Sequence, residues 1–380
     1  MERKLYGFSV AREDKLTFLT EALPESKMNF LERSGEKLEK FGKLIDKKTK
    51  DNIHKMEVLV SMIVFIIILF LYVHISNQFK KSNDMEVYEM DYKDNEDLQK
   101  VCELRQPFLF SLSTPINKII TMEYLQHYEN EYVRIKDTND YLGSPNNENQ
   151  NVIGETYLPF SSFYILMKTD TQNHYFIENN DEFMEETGLN AVIDKELNIF
   201  LNPKYSTVVQ RKYDICMGSK DAELPLRYHT HFRHFYMVLH GKMHVKMTPF
   251  KNSVHLNPVN DYNIYENYST KNVWKRNIEN VSFLEFDVLE GQVFYVPPYW
   301  WYSIKYSNIE DTIICSCTYH SLTNLVAHSP DLVKYYIHQQ NLEKKYMKTL
   351  GGNLDSHPTE KSLKSLSSLD ETSLVEESDP

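Results

Sequence analysis

One continuous apolar stretch divides this chain of 380 residues into two unequal parts. Residues 58–75, VLVSMIVFIIILFLYVHI, contain no Asp, Glu, Lys or Arg, and they reach the length that a membrane-spanning helix needs. The stretch starts too late and is too long for a cleaved signal peptide. A buried core helix is the alternative, but a helix of a soluble protein almost always carries a polar stripe. The pattern therefore predicts a single transmembrane helix over residues 56–76.

Beyond residue 207 the pattern changes to short segments rich in β-branched and aromatic residues, separated by turn residues, which is typical of β-strands. The predicted strands are VVQRKYDICM, HFYMVLH, KMHVKM, SFLEFDV, QVFYVP, WYSIKY and TIICSCTYH, with PFLFSL as an earlier one. Helices are predicted at 95–104, 159–167, 181–189, 322–327 and 332–345. Many short strands bracketed by helices predict a mostly β domain with flanking helices, of the jelly-roll type.

The segments outside this domain differ from it in composition. Residues 1–55 are charged, and apolar residues at helical spacing predict that they are partly helical. Residues 77–87 form an acidic linker, and the folded domain is predicted at 88–346. Residues 351–380 are acidic and rich in serine, with almost no aromatic residues. Such a segment cannot bury enough apolar surface to offset the entropy of ordering, so we predict a disordered tail.

The charges around the apolar stretch predict its orientation. Five lysines precede it closely, namely Lys43, Lys47, Lys48, Lys50 and Lys55, whereas Lys80 and Lys81 alone follow it closely. Because lysine and arginine concentrate on the cytosolic side of a membrane, we expect a cytosolic N-terminus and a lumenal or extracellular C-terminal domain. The formal net charge of the whole chain is -12. Nucleic-acid binding requires a basic face, so nucleic acid is excluded from the expected partners.

Two features of the C-terminal part are compatible with a lumenal domain. All four cysteines lie there, and so do two acceptor sequons for N-glycosylation, which begin at Asn267 and Asn280. Cys315 and Cys317 are two residues apart and share one face of a predicted strand. A disulfide between such neighbours has poor geometry, so we interpret both as buried thiols.

Two segments carry a resemblance to a known family. Residues 228–249 read YHTHFRHFYMVLHGKMHVKMTP, and residues 291–302 read GQVFYVPPYWWY. They are similar to the two metal-binding strands of cupin-like, JmjC-type jelly-roll hydroxylases, and the similarity extends over roughly residues 88–345. It is closest to the membrane-anchored cupin-like proteins of large DNA viruses. Active members hold Fe(II) with two histidines and one carboxylate, and a lysine binds 2-oxoglutarate.

This chain departs from the family pattern at all four of those positions. Counting from Gly241 and from the Trp300-Trp301 pair, the resemblance places Tyr228, Thr230 and Tyr302 where the iron ligands belong. Met243 stands where the lysine belongs. Neutral hydroxyl groups are poor ligands for a divalent metal. The resemblance therefore implies a domain that has lost iron and 2-oxoglutarate, a pseudoenzyme without a cofactor.

A neighbouring group of histidines supports an alternative. His229 and His231 form an H-x-H pair, and His234 follows. In a regular strand His229 and His231 share a face, but His234 lies on the opposite face unless a bulge intervenes. With such a bulge, the three imidazoles could hold a metal ion for a hydroxylase that uses Fe(II) and 2-oxoglutarate.

The leading interpretation is a membrane-anchored, non-catalytic binding or scaffolding module, with the lipid bilayer and a protein or peptide as partners. This interpretation assigns no catalytic residues. The pocket residues that it predicts are Tyr228, Thr230, His234, Met243, Trp301, Tyr302 and Cys317. The alternative is the metal-dependent hydroxylase that uses His229, His231 and His234. A third interpretation is a structural homodimer that pairs through the C-terminal helices 322–345.

Overall fold

The computed structural model describes residues 25–142, 156–204, 206–262 and 264–351. It divides into two compact units, the first ending at Val73 and the second beginning at His74. The first unit consists of the described part of one long helix, α1 (Glu25–Gln78), whose last residues belong to the second unit. By length and composition α1 could cross a membrane, and its apolar stretch contains the predicted span. Residues 352–380 of the predicted tail lie outside the described part of the chain.

The second unit contains the β-structure. Its strands are β1 (Tyr88–Glu89), β2 (Phe108–Ser111), β3 (Tyr132–Asp137), β4 (Thr156–Pro159), β5 (Tyr175–Ile177), β6 (Val208–Gly218), β7 (Arg227–Tyr228), β8 (Arg233–His240), β9 (Lys242–Thr248), β10 (Pro258–Asp261), β11 (Glu266–Ser269), β12 (Leu284–Leu289), β13 (Gln292–Tyr295), β14 (Trp301–Tyr306) and β15 (Ile313–Ser321). Its helices are α2 (Asn95–Cys102), α3 (Ile116–Ile119), α4 (Met122–Gln126), α5 (Thr138–Tyr141), α6 (Phe160–Thr169), α7 (Asp181–Glu186), α8 (Leu189–Leu201), α9 (Leu322–Ala327) and α10 (Ser329–Gly351), with a 3₁₀ turn at Phe250–His255.

The strands form two large sheets. One has nine strands in the order β1-β2-β13-β8-β15-β6-β5-β3-β4, and the other has six in the order β10-β11-β7-β14-β9-β12. Within the larger sheet, β15 is hydrogen-bonded to β8 on one side and to β6 on the other. A mostly β fold with flanking helices is therefore confirmed.

Alternation along the strands separates the core into layers. One apolar cluster lies between the nine-stranded sheet and the helices, and a second joins side chains of both sheets, such as Phe294 and Ile304. A third contains Leu226, Leu256, Val273 and Trp301. The adjacent residues Trp300 and Trp301 point to opposite faces, because Trp300 belongs to the second cluster and Trp301 to the third. Both are almost completely buried.

The C-terminal helix begins earlier than the sequence indicated. The sequence predicts the last helix over 332–345, but α10 starts at Ser329. Proline is well tolerated in the first turn of a helix because its missing N–H would have no partner there. Leu332 and Tyr335 of this helix lie on the wall of the cavity described below.

Candidate functional site

A cavity of about 890 Å³, which we call the histidine cavity, opens at the ends of several strands of both sheets. Its wall combines charged groups with imidazole and phenol rings. The residues that line it include Lys136, Glu178, Asp181, Lys212, Asp214, Arg227, Tyr228, His229, Thr230, His231, His234, Tyr236, Tyr265, Glu266, Asn267, Tyr302, Ser316, Thr318, His320, Leu332, Tyr335 and Gln339.

Four of the expected pocket residues line this cavity: Tyr228, Thr230, His234 and Tyr302. The other three lie in packed apolar clusters instead. Alternation along each strand explains the difference. Trp301 points away from the face of its neighbour Tyr302, and Cys317 lies between the lining residues Ser316 and Thr318.

Met243 is the third of these residues. It is completely buried in the cluster that joins the two sheets. It pairs with Val288 on β12 and with Tyr306 on β14 in the middle of the six-stranded sheet. Met243, which stands where the resemblance would place a lysine, therefore contributes an apolar side chain to the core and no group to the cavity wall.

The histidine cluster consists of His229, His231, His234 and His320. The ring of His229 lies 4.8 Å from that of His231 and 4.6 Å from that of His234, measured between ring centroids. The His231 ring lies 5.7 Å from His234 and 4.7 Å from His320. Sequence reasoning did not include His320, which β15 brings to the site by pairing Thr318 with His234.

The expectation that His234 would face away from His229 and His231 assumed one continuous strand. The structure has none there, because β7 ends at Tyr228 and β8 begins at Arg233. The residues between them are free of the period of two that a strand imposes. His229, His231 and His234 therefore come together without a bulge.

Burial keeps these imidazoles neutral. It lowers the pKa of His229, His231 and His234 well below the ordinary value, and neighbouring positive groups lower it further. Burial likewise lowers the pKa of His320 to about 4. Near neutral pH the cluster thus offers uncharged hydrogen-bonding groups to the cavity.

Two of these rings have an unused nitrogen. His229 Nδ1 accepts a hydrogen bond from the backbone N–H of His231 at 3.2 Å, which places the proton of the neutral ring on Nε2. His234 Nδ1 lies 2.8 Å from Thr318 Oγ1. Nε2 of His229 and Nε2 of His234 are buried and have no partner within the described part of the chain. A buried polar atom without a partner costs free energy, so both atoms favour a bound ligand or water.

The rings are not arranged as metal ligands. Among the described residues, no group of three or more His, Cys, Asp or Glu side chains could hold a metal ion. The rings of His229 and His231 are nearly parallel, with an interplanar angle of 13°. The lone pair of an imidazole lies in the ring plane, so one ion cannot meet both rings in this conformation. One of the two would first have to rotate.

The three positions at which the resemblance would place iron ligands hold neutral hydroxyl groups, and these residues have other contacts. Tyr302 Oη lies 3.2 Å from Tyr236 Oη, and burial raises the pKa of both phenols. The Tyr228 ring packs edge-on against Trp301 at 4.8 Å, and burial raises the pKa of Tyr228 to about 12. Thr230 accepts a hydrogen bond from Asn324 Nδ2 at its backbone oxygen. These side chains therefore form an uncharged part of the cavity wall.

A buried ion-pair network forms the charged end of the cavity. Glu178 accepts two hydrogen bonds from the guanidinium of Arg227 and one at 3.2 Å from Lys136 Nζ. Lys136 Nζ also lies 2.6 Å from Glu266 Oε1. Burial alone would raise the pKa of Glu178, but the charges of Arg227 and Lys136 outweigh it and lower the pKa to about 2. The sequence did not lead us to predict that these residues line the cavity.

Two further acids on the wall are also held by partners. Asp214 on β6 accepts hydrogen bonds from the backbone N–H groups of Asn179 and Asn180. Burial raises the pKa of Asp214 to about 6. Asp181 pairs with Lys212 at 2.9 Å. The acids and bases of the wall therefore compensate one another, and the cavity carries little net charge.

No protein-family model matches this chain, and no match was found among curated proteins.

Proposed function

We propose that this protein is a membrane-anchored, non-catalytic binding module whose histidine cavity binds an uncharged, polyhydroxylated small molecule. The observation that carries the proposal is the pair of buried, unpartnered Nε2 atoms on His229 and His234 within a wall whose charges are compensated. The residues from 56 to 76 would span the bilayer, with the N-terminus in the cytosol, as the lysine distribution favours.

The strand connections support a jelly roll of the cupin type as the scaffold. Successive strands from β6 to β9 alternate between the nine-stranded and the six-stranded sheet, and so do successive strands from β12 to β15. Each set of four strands thus crosses between the two sheets at every step, as the strands of a jelly roll do. In this arrangement the cavity lies at one open end of the two sheets, where ligand sites of small barrels are common.

The charges of the wall favour an uncharged ligand. Glu178 is already paired with Arg227 and Lys136, and Lys136 also reaches Glu266. An ionic ligand would have to compete with these buried pairs, and an ion without a counter-charge is costly to bury. A molecule with hydroxyl groups can instead donate to one unpartnered nitrogen and accept from another.

The remaining wall suits the same ligand class. Thr230, Ser316 and Thr318 offer hydroxyl groups that both donate and accept hydrogen bonds. The rings of Tyr265 and Tyr335 lie 5.4 Å apart on the wall and provide apolar faces. Molecules that combine hydroxyl groups with apolar C–H faces, such as hexoses and inositols, match this combination.

The electrostatics disfavour a divalent metal. Active hydroxylases of the resembling family place a carboxylate among the ligands, which offsets the charge of the ion. Here burial lowers the pKa of both His229 and His234, and the charge of Arg227 lowers it further, so the surroundings oppose added positive charge at these rings. No carboxylate takes the place of the missing one, since Thr230 and Tyr302 carry hydroxyl groups.

One observation favours the metal-dependent hydroxylase as a second candidate. The centroids of His229, His231 and His234 all lie between 4.6 and 5.7 Å from one another. Ligands that surround a tetrahedral ion with metal–nitrogen bonds of about 2.0–2.1 Å would have similar spacing. If His231 turned out of its stack on His229, these residues could hold Fe(II), with 2-oxoglutarate as the co-substrate.

The homodimer is a weaker proposal. On α10, Leu332, Tyr335 and Gln339 line the histidine cavity, so this face of the helix caps the cavity. Tyr336 remains largely exposed on the other side of the helix. Nothing else in the described part of the chain indicates what would cover it, and a protein or peptide partner there stays a prediction.

A ligand panel tests the proposal. The full chain in detergent is heated with hexoses and inositol in one arm, and with 2-oxoglutarate and Mn²⁺, singly and together, in the other. We expect an uncharged polyol to raise the thermal midpoint, because a ligand that binds only the folded state stabilises it. Each kcal/mol gained should add about 2–4 °C. The charged compounds should leave the midpoint unchanged.

A blocked cavity provides the control. Thr230→Phe places a ring inside the cavity and should abolish the rise, whereas Ile309→Phe, at an exposed loop position, should preserve it. A rise with 2-oxoglutarate and Mn²⁺ together, and none with polyols, would contradict the proposal and favour the hydroxylase.

A further inference from the structure

The sequence contains two acceptor sequons, and the structure places them in very different surroundings. Asn267-Tyr268-Ser269 lies within β11, which is paired with β10 on one side and β7 on the other. Asn280-Val281-Ser282 lies in a turn that precedes β12. This difference bears on which of them can carry a glycan in the folded protein.

The first sequon is part of a strand that is paired on both sides. The Asn267 side chain lines the histidine cavity, and Ser269 is completely buried. Ser269 Oγ donates a hydrogen bond to the backbone oxygen of Leu256. A glycan on Asn267 would have to occupy the cavity, and it would hinder the pairing of β11 with its neighbours.

The second sequon is open to solvent. Asn280 and Ser282 are both exposed, and Val281 between them is partly buried. The backbone N–H of Val281 donates to the oxygen of Ile278 at 3.3 Å, which closes a turn, and Asn280 adopts a left-handed conformation with φ 62°. Asparagine tolerates this conformation, and the residue is exposed to solvent there.

We propose that Asn280 is the N-glycosylation site of this protein and that Asn267 stays unmodified. The inference rests on the proposed topology, since it requires the domain to enter the lumen. In the reaction, the amide nitrogen of Asn280 forms a bond to the anomeric carbon of a lipid diphosphate-linked oligosaccharide. The bond from that carbon to the diphosphate oxygen breaks, the lipid diphosphate leaves, and the amide gives up one proton to a base of the transferase.

The experiment is translation of the full chain with sealed microsomes, followed by a glycosidase that cleaves at asparagine. We expect one glycosidase-sensitive shift in gel mobility for the natural chain. Asn280→Gln should abolish this shift, and Asn267→Gln should preserve it. A shift that survives Asn280→Gln, or one that Asn267→Gln removes, would overturn the proposal.

A protease arm separates this inference from the proposed topology. An additional Asn-Ser-Thr acceptor is appended at the N-terminus, and protease is added outside the vesicles. A protected C-terminal domain without a glycan would overturn Asn280 as a site and leave the topology standing. Glycosylation of the N-terminal acceptor, with digestion of the domain, would overturn the topology and the Asn280 site together.

Discussion

The free energy of unfolding should fall steeply as the pH drops below about 6.5, the ordinary pKa of histidine. In the folded state the pKa of His229, His231 and His234 lies well below that value, and that of His320 is about 4. The unfolded chain therefore binds these protons first, and the stability present above pH 6.5 is lost as the pH falls. Each proton changes the slope by about 1.4 kcal/mol per pH unit.

Asp214 opposes this trend. Its pKa is raised to about 6 in the folded state, so its contribution is present below its unfolded pKa and is lost as the pH rises through about 6. One acid offsets about one proton, so the buried imidazoles still make stability fall as the pH drops below about 6.5.

Urea unfolding at several pH values measures this slope. His320→Gln should reduce it by about one proton, or about 1.4 kcal/mol per pH unit. His127→Gln, at an exposed position at the end of α4, is the matched control and should leave the slope unchanged. A slope that is equal in all three proteins would show that the imidazoles are not buried as a neutral cluster.

Glu178→Gln should cost about 3–5 kcal/mol of stability, because it removes the acid that two buried cations share. The side chains of Lys136 and Glu178 are 2% and 4% exposed, and that of Arg227 is 9% exposed. Glutamine has nearly the same shape as glutamate but no charge. Arg227 would lose its only charged partner among the residues described, whereas Lys136 would retain Glu266.

Chemical denaturation at neutral pH gives the value, and a surface pair gives the control. Glu285 lies 2.9 Å from Lys246, but its side chain is 61% exposed. Glu285→Gln should therefore cost less than about 1 kcal/mol. Equal costs for the two substitutions would contradict the buried network.

Several strands of the two sheets could be predicted because each of them carries its own signal in the sequence. β8, β14 and β15 are rich in β-branched and aromatic residues, β9 alternates polar residues with buried apolar ones, and the structure places all four close to the predicted bounds. The helix α8 was missed, although Leu189, Ile193, Leu197 and Leu201 repeat every four residues and are all buried. Its signal was present in the sequence and could have been recognised.

The charged end of the cavity could not be predicted in the same way. Lys136 has a charged side chain on a short strand, and its partners Glu178 and Glu266 lie 42 and 130 residues further along the chain. Nothing local indicates that these residues meet. His320 is a similar case, because only the register of β15 against β8 places it beside His231.

The most direct test of the account is metal analysis of the full chain purified under anaerobic conditions, combined with an assay for 2-oxoglutarate turnover. We expect no stoichiometric metal and no turnover, because Tyr228, Thr230 and Tyr302 supply no charged ligand and Met243 is buried in the core. His229→Ala/His231→Ala is the control. About one metal ion per chain that is lost in this double variant, together with turnover of 2-oxoglutarate, would contradict the binding module and establish the hydroxylase.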